Sequence, residues 1–113
     1  MWEILPDLFL GDRTDAQDRQ RLRERGITYI VNCAKEHPCP FEAEFEYLWL
    51  RMEDPDPQFA AKIPSFCAYI DEARRRGKAM VHCTGGVSRS PAVILAYLCH
   101  LFGDLEQASN CLC

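Results

Sequence analysis

The segment KAMVHCTGGVSRSPAVILAYLCHLF, residues 78–102, decides the fold. It begins with a short apolar run, Lys78–His82, and ends with a longer one, Ser90–Phe102, which has Pro91 near its start and Gly103 just after its end. Proline in the first turn and glycine after the last residue are typical of an α-helix. The segment therefore predicts a strand, a glycine-containing loop and a helix, which is the connection found in an α/β sheet.

The rest of the chain repeats this alternation of strands and helices. Trp2–Leu10, broken at Pro6-Asp7, predicts two short strands. The other predicted elements are a polar helix from the N-cap Thr14 to Arg25, strands Ile27–Asn32 and Phe45–Leu50, and a helix Phe59–Arg76 in which Pro64 falls in the first turn or marks the start. We expect a single α/β domain over residues 1–113, with a central, mostly parallel sheet flanked by helices.

Composition restricts the classes of function. The net charge is −4 and Arg74-Arg75-Arg76 is the one tight run of positive charge, so the sequence predicts no nucleic-acid partner. No segment approaches the roughly 20 apolar residues of a membrane span, and the N-terminus does not resemble a signal peptide. Seven cysteines without paired spacings fit reduced thiols better than a secreted disulfide framework. We expect a cytoplasmic or nuclear protein without a membrane partner, and its oligomeric state is left open.

The loop His82-Cys83-Thr84-Gly85-Gly86-Val87-Ser88-Arg89-Ser90 carries the residues with chemistry. Between a strand and a helix N-terminus, a glycine-rich loop turns its backbone N–H groups around an anion. We expect phosphate to be bound by Thr84, Gly85, Gly86, Val87, Ser88 and Arg89. The thiol of Cys83 goes beyond binding, because its thiolate is a nucleophile. The loop thus predicts phosphate chemistry on a cysteine, without a metal or another cofactor.

Three further side chains of this loop have expected roles. Arg89 can grip two phosphoryl oxygens with its planar guanidinium and stabilise charge in the transition state. Ser90 offers a hydroxyl that can hydrogen-bond the sulfur and help it leave when a phosphocysteine hydrolyses. His82 is expected to brace the loop rather than to transfer protons. The alternative is an ordinary strand-to-helix turn with a buried cysteine, which the agreement of four residue types does not favour.

At these residues the sequence resembles the small, atypical dual-specificity phosphatases, a branch of the protein tyrosine phosphatases with the signature His-Cys, five residues, Arg-Ser/Thr. The resemblance extends to residues 4–11 and 26–32 and covers nearly all of Trp2–Ala108. It implies a protein tyrosine phosphatase-like fold and a hydrolase that acts on phosphotyrosine, with phosphoserine and phosphothreonine as further substrates, through a cysteinyl-phosphate intermediate. A phosphorylated protein is the expected substrate, because no lysine lies in the loop to favour highly charged inositol lipids.

The family's reaction also needs a general acid, supplied by an aspartate after the strand that precedes the long helix. Asp54 occupies that place, and Asp56, one proline further, is its rival. Because Asp-Pro pairs often form turns, a purely structural role for Asp54 is the third alternative. We expect Asp54 to be the general acid, while the sequence leaves open whether Asp56 takes this role instead.

The C-terminus favours a second hypothesis about function. Family domains continue through further helices, whereas this sequence stops at Cys113 after one short helix predicted from Leu105, so we expect those C-terminal helices to be missing. Such a domain can still bind phosphate, and a phospho-protein-binding adaptor with little turnover is therefore the alternative function. A rhodanese-type sulfur-transfer domain is the third, and it does not account for Arg89 and Ser90.

Other cysteines suggest two weaker hypotheses. Cys33 ends a predicted strand that we expect beside the strand leading to Cys83, so that a disulfide between them would protect an oxidised Cys83. Alternatively, Cys33 acts only as a small apolar residue buried in the core. Cys33, His37 and Cys39 lack the second ligand pair of a zinc site, and no metal is expected there.

Overall fold

The structure is a computed structural model, and it describes residues 1–53, 55–84 and 89–103. Five strands and four helices lie in these residues. In chain order they are β1 (Trp2–Leu5), β2 (Leu8–Gly11), α1 (Arg13–Ala16), α2 (Arg19–Glu24), β3 (Ile27–Ala34), β4 (Glu46–Met52), α3 (Phe59–Arg76), β5 (Lys78–His82) and α4 (Arg89–Phe102).

The strands form one sheet in the order β1-β2-β5-β3-β4. β1 and β2 pair antiparallel across the turn at Pro6-Asp7, and every other neighbouring pair is parallel. The prediction of a mostly parallel sheet flanked by helices is confirmed. Among the described residues, no helix has both the length and the apolar character needed to cross a bilayer.

The sheet buries both of its faces, and the two strands beside Cys83 show why. In β5, Val81 joins the apolar cluster under α3 and α4, whereas its neighbour Met80 joins the cluster under α1 and α2. In β3, Val31 and Ile30 divide between the same two clusters. Successive side chains of a strand point to opposite faces, so a continuous apolar run is what a doubly covered strand requires.

Two expectations about the helices are wrong in detail. Instead of one helix from Thr14 to Arg25, the chain forms α1 and α2, because Asp12 and Asp15 make a capping box at the start of α1 and Asp18 caps α2. Pro64 is the sixth residue of α3 and therefore lies in its second turn, neither in the first turn nor at the start. The strand bounds also move, since β3 continues to Ala34 and β4 runs from Glu46 to Met52.

Parallel pairing brings the carboxyl ends of three strands to one edge of the sheet. His82 at the end of β5 is paired with Gly11 of β2 on one side and with Asn32 of β3 on the other. Residues that follow these strands therefore converge beside Cys83, as they do at ligand sites of other open α/β sheets.

Candidate active site

Cys83 directly follows β5 and is buried at the carboxyl edge of the sheet. Its Sγ lies 3.2 Å from Oγ of Ser90, which is in the first turn of α4 and has no exposed surface. A hydroxyl that donates to a sulfur anion stabilises that anion, and a helix N-terminus adds a favourable potential. The structure therefore brings together the nucleophile and the hydroxyl that the sequence predicted for it.

The phosphate-binding residues predicted from the sequence fall into two groups. Gly85, Gly86, Val87 and Ser88 lie outside the described residues. Thr84 is described, and its hydroxyl donates to Oε2 of Glu36 over 2.6 Å. Arg89 is the other described member, and it stands at the start of α4 beside Ser90.

The guanidinium of Arg89 is held by three segments of the chain. Its Nη1 and Nη2 each lie 2.7 Å from one carboxylate oxygen of Glu36. Nη1 also donates to the carbonyl oxygen of Met52 over 3.0 Å, and Nη2 donates to Thr84 Oγ1 over 3.0 Å. The Arg89 side chain is only 10% exposed. These contacts hold the cation in one orientation beside Thr84, the residue that follows Cys83.

Glu36 is a site residue that the sequence reasoning missed. Hydrogen bonds from Arg89 and Thr84 hold the pKa of its carboxyl far below the usual range, so it is ionised. The side chain is about half exposed, and it comes from the connection between β3 and β4. The available signal was its position two residues beyond the carboxyl end of β3, the edge at which Cys83 was expected.

His82 is buried, and burial lowers its pKa to about 4. The imidazole is therefore neutral at pH 7, and it lacks the acidic imidazolium proton that could protonate a leaving group. This agrees with the expectation that His82 does not transfer protons, and its role in bracing the loop stays a prediction.

Asn32 fixes the connection that carries Glu36, and it too was missed. Its buried amide donates to the carbonyl oxygen of His37 over 2.7 Å and to the sulfur of Cys39 at 3.6 Å. Its side-chain oxygen accepts from the backbone N–H of Ala34. Cys39 is thereby a buried hydrogen-bond acceptor, and the described part of the chain holds no group of three side chains suited to binding a metal ion.

Cys33 is the residue of β3 that follows Asn32, the partner of His82, so the expected adjacency to the strand leading into Cys83 is confirmed. Cys33 has no exposed surface, and it belongs to the same apolar cluster as Cys83. Burial raises the pKa of the Cys33 thiol far above its ordinary value, and the nearby charge of Cys83 adds to the rise. Its thiolate is therefore scarce at pH 7, and a redox role stays a prediction.

Of the two candidate acids, Asp54 lies outside the described residues. Asp56 is described, and its Oδ2 lies 2.6 Å from Nζ of Lys62 while Oδ1 accepts from the backbone N–H of Gln58. The hydrogen bond from Lys62 lowers the pKa of Asp56. Asp56 is thus an ionised carboxylate that pairs with Lys62 in the first turns of the helix that follows it, and an ionised carboxylate is a poor proton donor.

Comparison with known proteins agrees with this geometry. A family model described as "Dual specificity phosphatase, catalytic domain" matches residues 8–106. The human dual specificity protein phosphatase 4 is 39% identical over 101 residues, which are 85% of this chain and 25% of that protein. The chain thus spans about a quarter of the length of this relative.

Solved structures give the same result. The crystal structure of human DUSP28 has a TM-score of 0.85 and 31% identity, covering 96% of this chain and 78% of that one. The human tyrosine phosphatase-like serine/threonine/tyrosine-interacting protein has a TM-score of 0.82 and 32% identity, covering 96% and 79%. On the matched catalytic domain, the shared fold and the loop from His82 to Ser90, this chain belongs to the dual-specificity phosphatase family.

Proposed function

We propose that this chain is a cysteine-dependent protein phosphatase that hydrolyses phosphotyrosine, together with phosphoserine and phosphothreonine, through a cysteinyl-phosphate intermediate. One observation carries the proposal: Cys83 Sγ lies 3.2 Å from Ser90 Oγ after the end of β5, and the Arg89 guanidinium contacts Thr84, the residue that follows Cys83. A nucleophile, a hydroxyl donor and a planar cation meet at one helix N-terminus, where phosphate binds readily.

In the first step the Cys83 thiolate attacks phosphorus and the bond from phosphorus to the substrate oxygen breaks. Asp54 gives its proton to that oxygen, which leaves as a phenol or an alcohol. Arg89 stabilises the negative charge on the equatorial phosphoryl oxygens, because its charge is always present and its fork matches two oxygens.

In the second step water attacks the phosphocysteine and the phosphorus–sulfur bond breaks. Asp54, now ionised, takes the proton from the water, and inorganic phosphate forms. The sulfur leaves as a thiolate, which accepts the hydrogen bond from the Ser90 hydroxyl. The cycle therefore ends with both residues in their starting protonation state, Cys83 as a thiolate and Asp54 as an acid, because the proton that Asp54 gave to the leaving group is replaced by one from water.

The contacts of Asp56 support Asp54 as the acid. A general acid has to be protonated when the substrate arrives. Asp56 is paired with Lys62, which favours the ionised form. Among the two aspartates that the sequence left open, Asp54 is therefore the better candidate.

The alternative function is that of a phospho-protein-binding adaptor with little turnover. The similarity to a tyrosine phosphatase-like interacting protein, at 32% identity, is the observation that supports it. Both functions take a phosphorylated protein as the partner and both use Arg89, so activity itself has to distinguish them.

Hydrolysis of an aryl phosphate by the purified chain tests the proposal. We expect turnover by the wild type, none by Cys83→Ser, and a kcat about 10²- to 10⁴-fold lower for Asp54→Asn with KM nearly unchanged. Asp56→Asn is the matched control, since it removes a carboxylate two residues away, and it should stay within a few-fold of the wild type. A folded wild type that binds phosphate without turnover would favour the adaptor.

A further inference from the structure

The contacts of Glu36 assign it a task in this site, and the inference rests on the proposed function. Glu36 belongs neither to the loop from His82 to Ser90 nor to the segment that bears the general acid. Its carboxylate nevertheless makes a two-pronged contact with Arg89, the cation that grips the phosphoryl group. The question is whether this contact competes with a substrate or prepares Arg89 for it.

The geometry of the guanidinium answers this question. An arginine presents five N–H groups in a fixed plane, with one edge made by Nη1 and Nη2 and another made by Nε and the second hydrogen of Nη2. Glu36 binds one oxygen to Nη1 and the other to Nη2, at 2.7 Å each, and so takes the first edge. On the second edge Nη2 donates to Thr84 Oγ1, so a phosphoryl group that binds to this edge replaces the contact with Thr84 and leaves both contacts with Glu36 in place.

Two more contacts fix the rotation of the same plane. Met52 O accepts the other hydrogen of Nη1 over 3.0 Å and belongs to the last residue of β4. Thr84 Oγ1 marks the second edge, because it accepts from Nη2 over 3.0 Å while it donates to Glu36 over 2.6 Å. Glu36 therefore closes a ring of hydrogen bonds with Arg89 and Thr84, and this ring turns the second edge of Arg89 toward Thr84, the residue after Cys83.

The connection that bears Glu36 is itself anchored to the sheet. The backbone N–H of Lys35 donates to Met52 O, and the Asn32 amide holds the carbonyl of His37 on the other side of Glu36. Because the backbone is anchored on both sides of Glu36, its carboxylate can hold the Arg89 guanidinium in place. We propose that Glu36 is a positioning residue, which holds Arg89 in the orientation that stabilises the transition state.

Positioning predicts a particular kinetic signature. The Glu36→Gln variant keeps the size of the side chain and removes its charge, so Arg89 loses one of its two carboxylate contacts and can rotate. A misplacement of about 1 Å at a reacting centre costs on the order of 10²-fold in rate. We expect kcat for an aryl phosphate to fall about 10- to 100-fold, with KM and the inhibition constant of inorganic phosphate within about threefold of the wild type.

The matched control is Glu44→Gln. Glu44 lies in the same connection and also pairs with arginines, Arg19 at 2.8 Å and Arg23 at 2.9 Å, away from Cys83. It should leave kcat unchanged. Glu36→Ala serves as a second variant, and melting by circular dichroism verifies that each variant is folded.

A measurement without turnover separates this inference from the proposed function. Orthovanadate resembles the transition state, and its binding protects Cys83 from alkylation by iodoacetamide. Glu36→Gln should weaken that protection by the same factor as kcat, while protection by inorganic phosphate changes little. If the wild type binds vanadate but turns nothing over, the proposed function fails and the vanadate comparison still tests Glu36. A Glu36→Gln variant with wild-type kcat and wild-type vanadate protection would overturn the inference. A variant with faster turnover and tighter phosphate binding would also overturn it, because Glu36 would then compete with the substrate for Arg89.

Discussion

Ser90→Ala removes a single oxygen from a fully buried position, and its effect follows from the contact with Cys83. The Oγ and Sγ atoms are 3.2 Å apart, and both residues are buried, so no water replaces the lost hydroxyl. A hydrogen bond to a charged group contributes about 1.5–3 kcal/mol. At 1.4 kcal/mol for each factor of ten, the loss corresponds to about 10- to 100-fold in the step where the thiolate is the leaving group.

That step is the hydrolysis of the phosphocysteine, so the two halves of the reaction should separate. In rapid-quench experiments with an aryl phosphate, we expect Ser90→Ala to release the first equivalent of phenol at nearly the wild-type rate. The following steady state should be about 10- to 100-fold slower, and trapped phosphoenzyme should accumulate on Cys83.

The control is Ser65→Ala. Ser65 is an exposed serine of α3 that donates only to the carbonyl oxygen of Lys62 within its own helix. It should show wild-type burst and steady-state rates. A Ser90→Ala variant whose burst slows as much as its steady state, with no phosphoenzyme accumulated, would refute the role of the hydroxyl in the second step.

Three further predictions follow from other parts of the structure. Because burial lowers the pKa of His82 to about 4 from 6.5, the neutral form favours folding, and this contribution is complete above pH 6.5 and lost as the pH falls toward 4. The free energy of unfolding, measured with urea, should therefore fall by about 3 kcal/mol between pH 6.5 and pH 4. In His82→Gln this free energy should depend less steeply on pH, and an unchanged dependence would contradict the prediction. Peroxide should convert the Cys83 thiolate to a sulfenic acid, which the Cys33 thiol attacks with release of water, faster at alkaline pH because the pKa of Cys33 is raised. Absence of a Cys33–Cys83 peptide in nonreducing maps would exclude this reaction. Asp7 has a φ of 67° in the turn between β1 and β2, so Asp7→Gly should raise the free energy of unfolding by about 1 kcal/mol, and an equal or lower melting temperature would count against it.

Local order along the chain was predictable from the sequence. The strand, loop and helix around Cys83 lie within residues 78–102, and their apolar periodicity and flanking proline and glycine are visible without any tertiary contact. The adjacency of Cys33 to the strand before Cys83 followed from two buried strands in a parallel sheet. The break between α1 and α2 was equally local, since Asp12, Asp15 and Asp18 are capping residues that the prediction overlooked.

Only the tertiary structure decided which groups surround Arg89. Glu36 is 53 residues away along the chain and the Met52 carbonyl is 37 residues away, and neither distance carries a periodic signal. The sequence offers several carboxylates in the connection between β3 and β4, and one of them reaches the guanidinium because Asn32 and Lys35 fix that connection at the edge where β5 ends. The sequence by itself therefore determined that this chain carries Cys83, Ser90 and Arg89 on a loop between a strand and a helix, a loop predicted to bind phosphate. The folded sheet decided that the arginine of that loop is oriented by a glutamate from another strand connection, because long-range contacts depend on strand order and not on spacing.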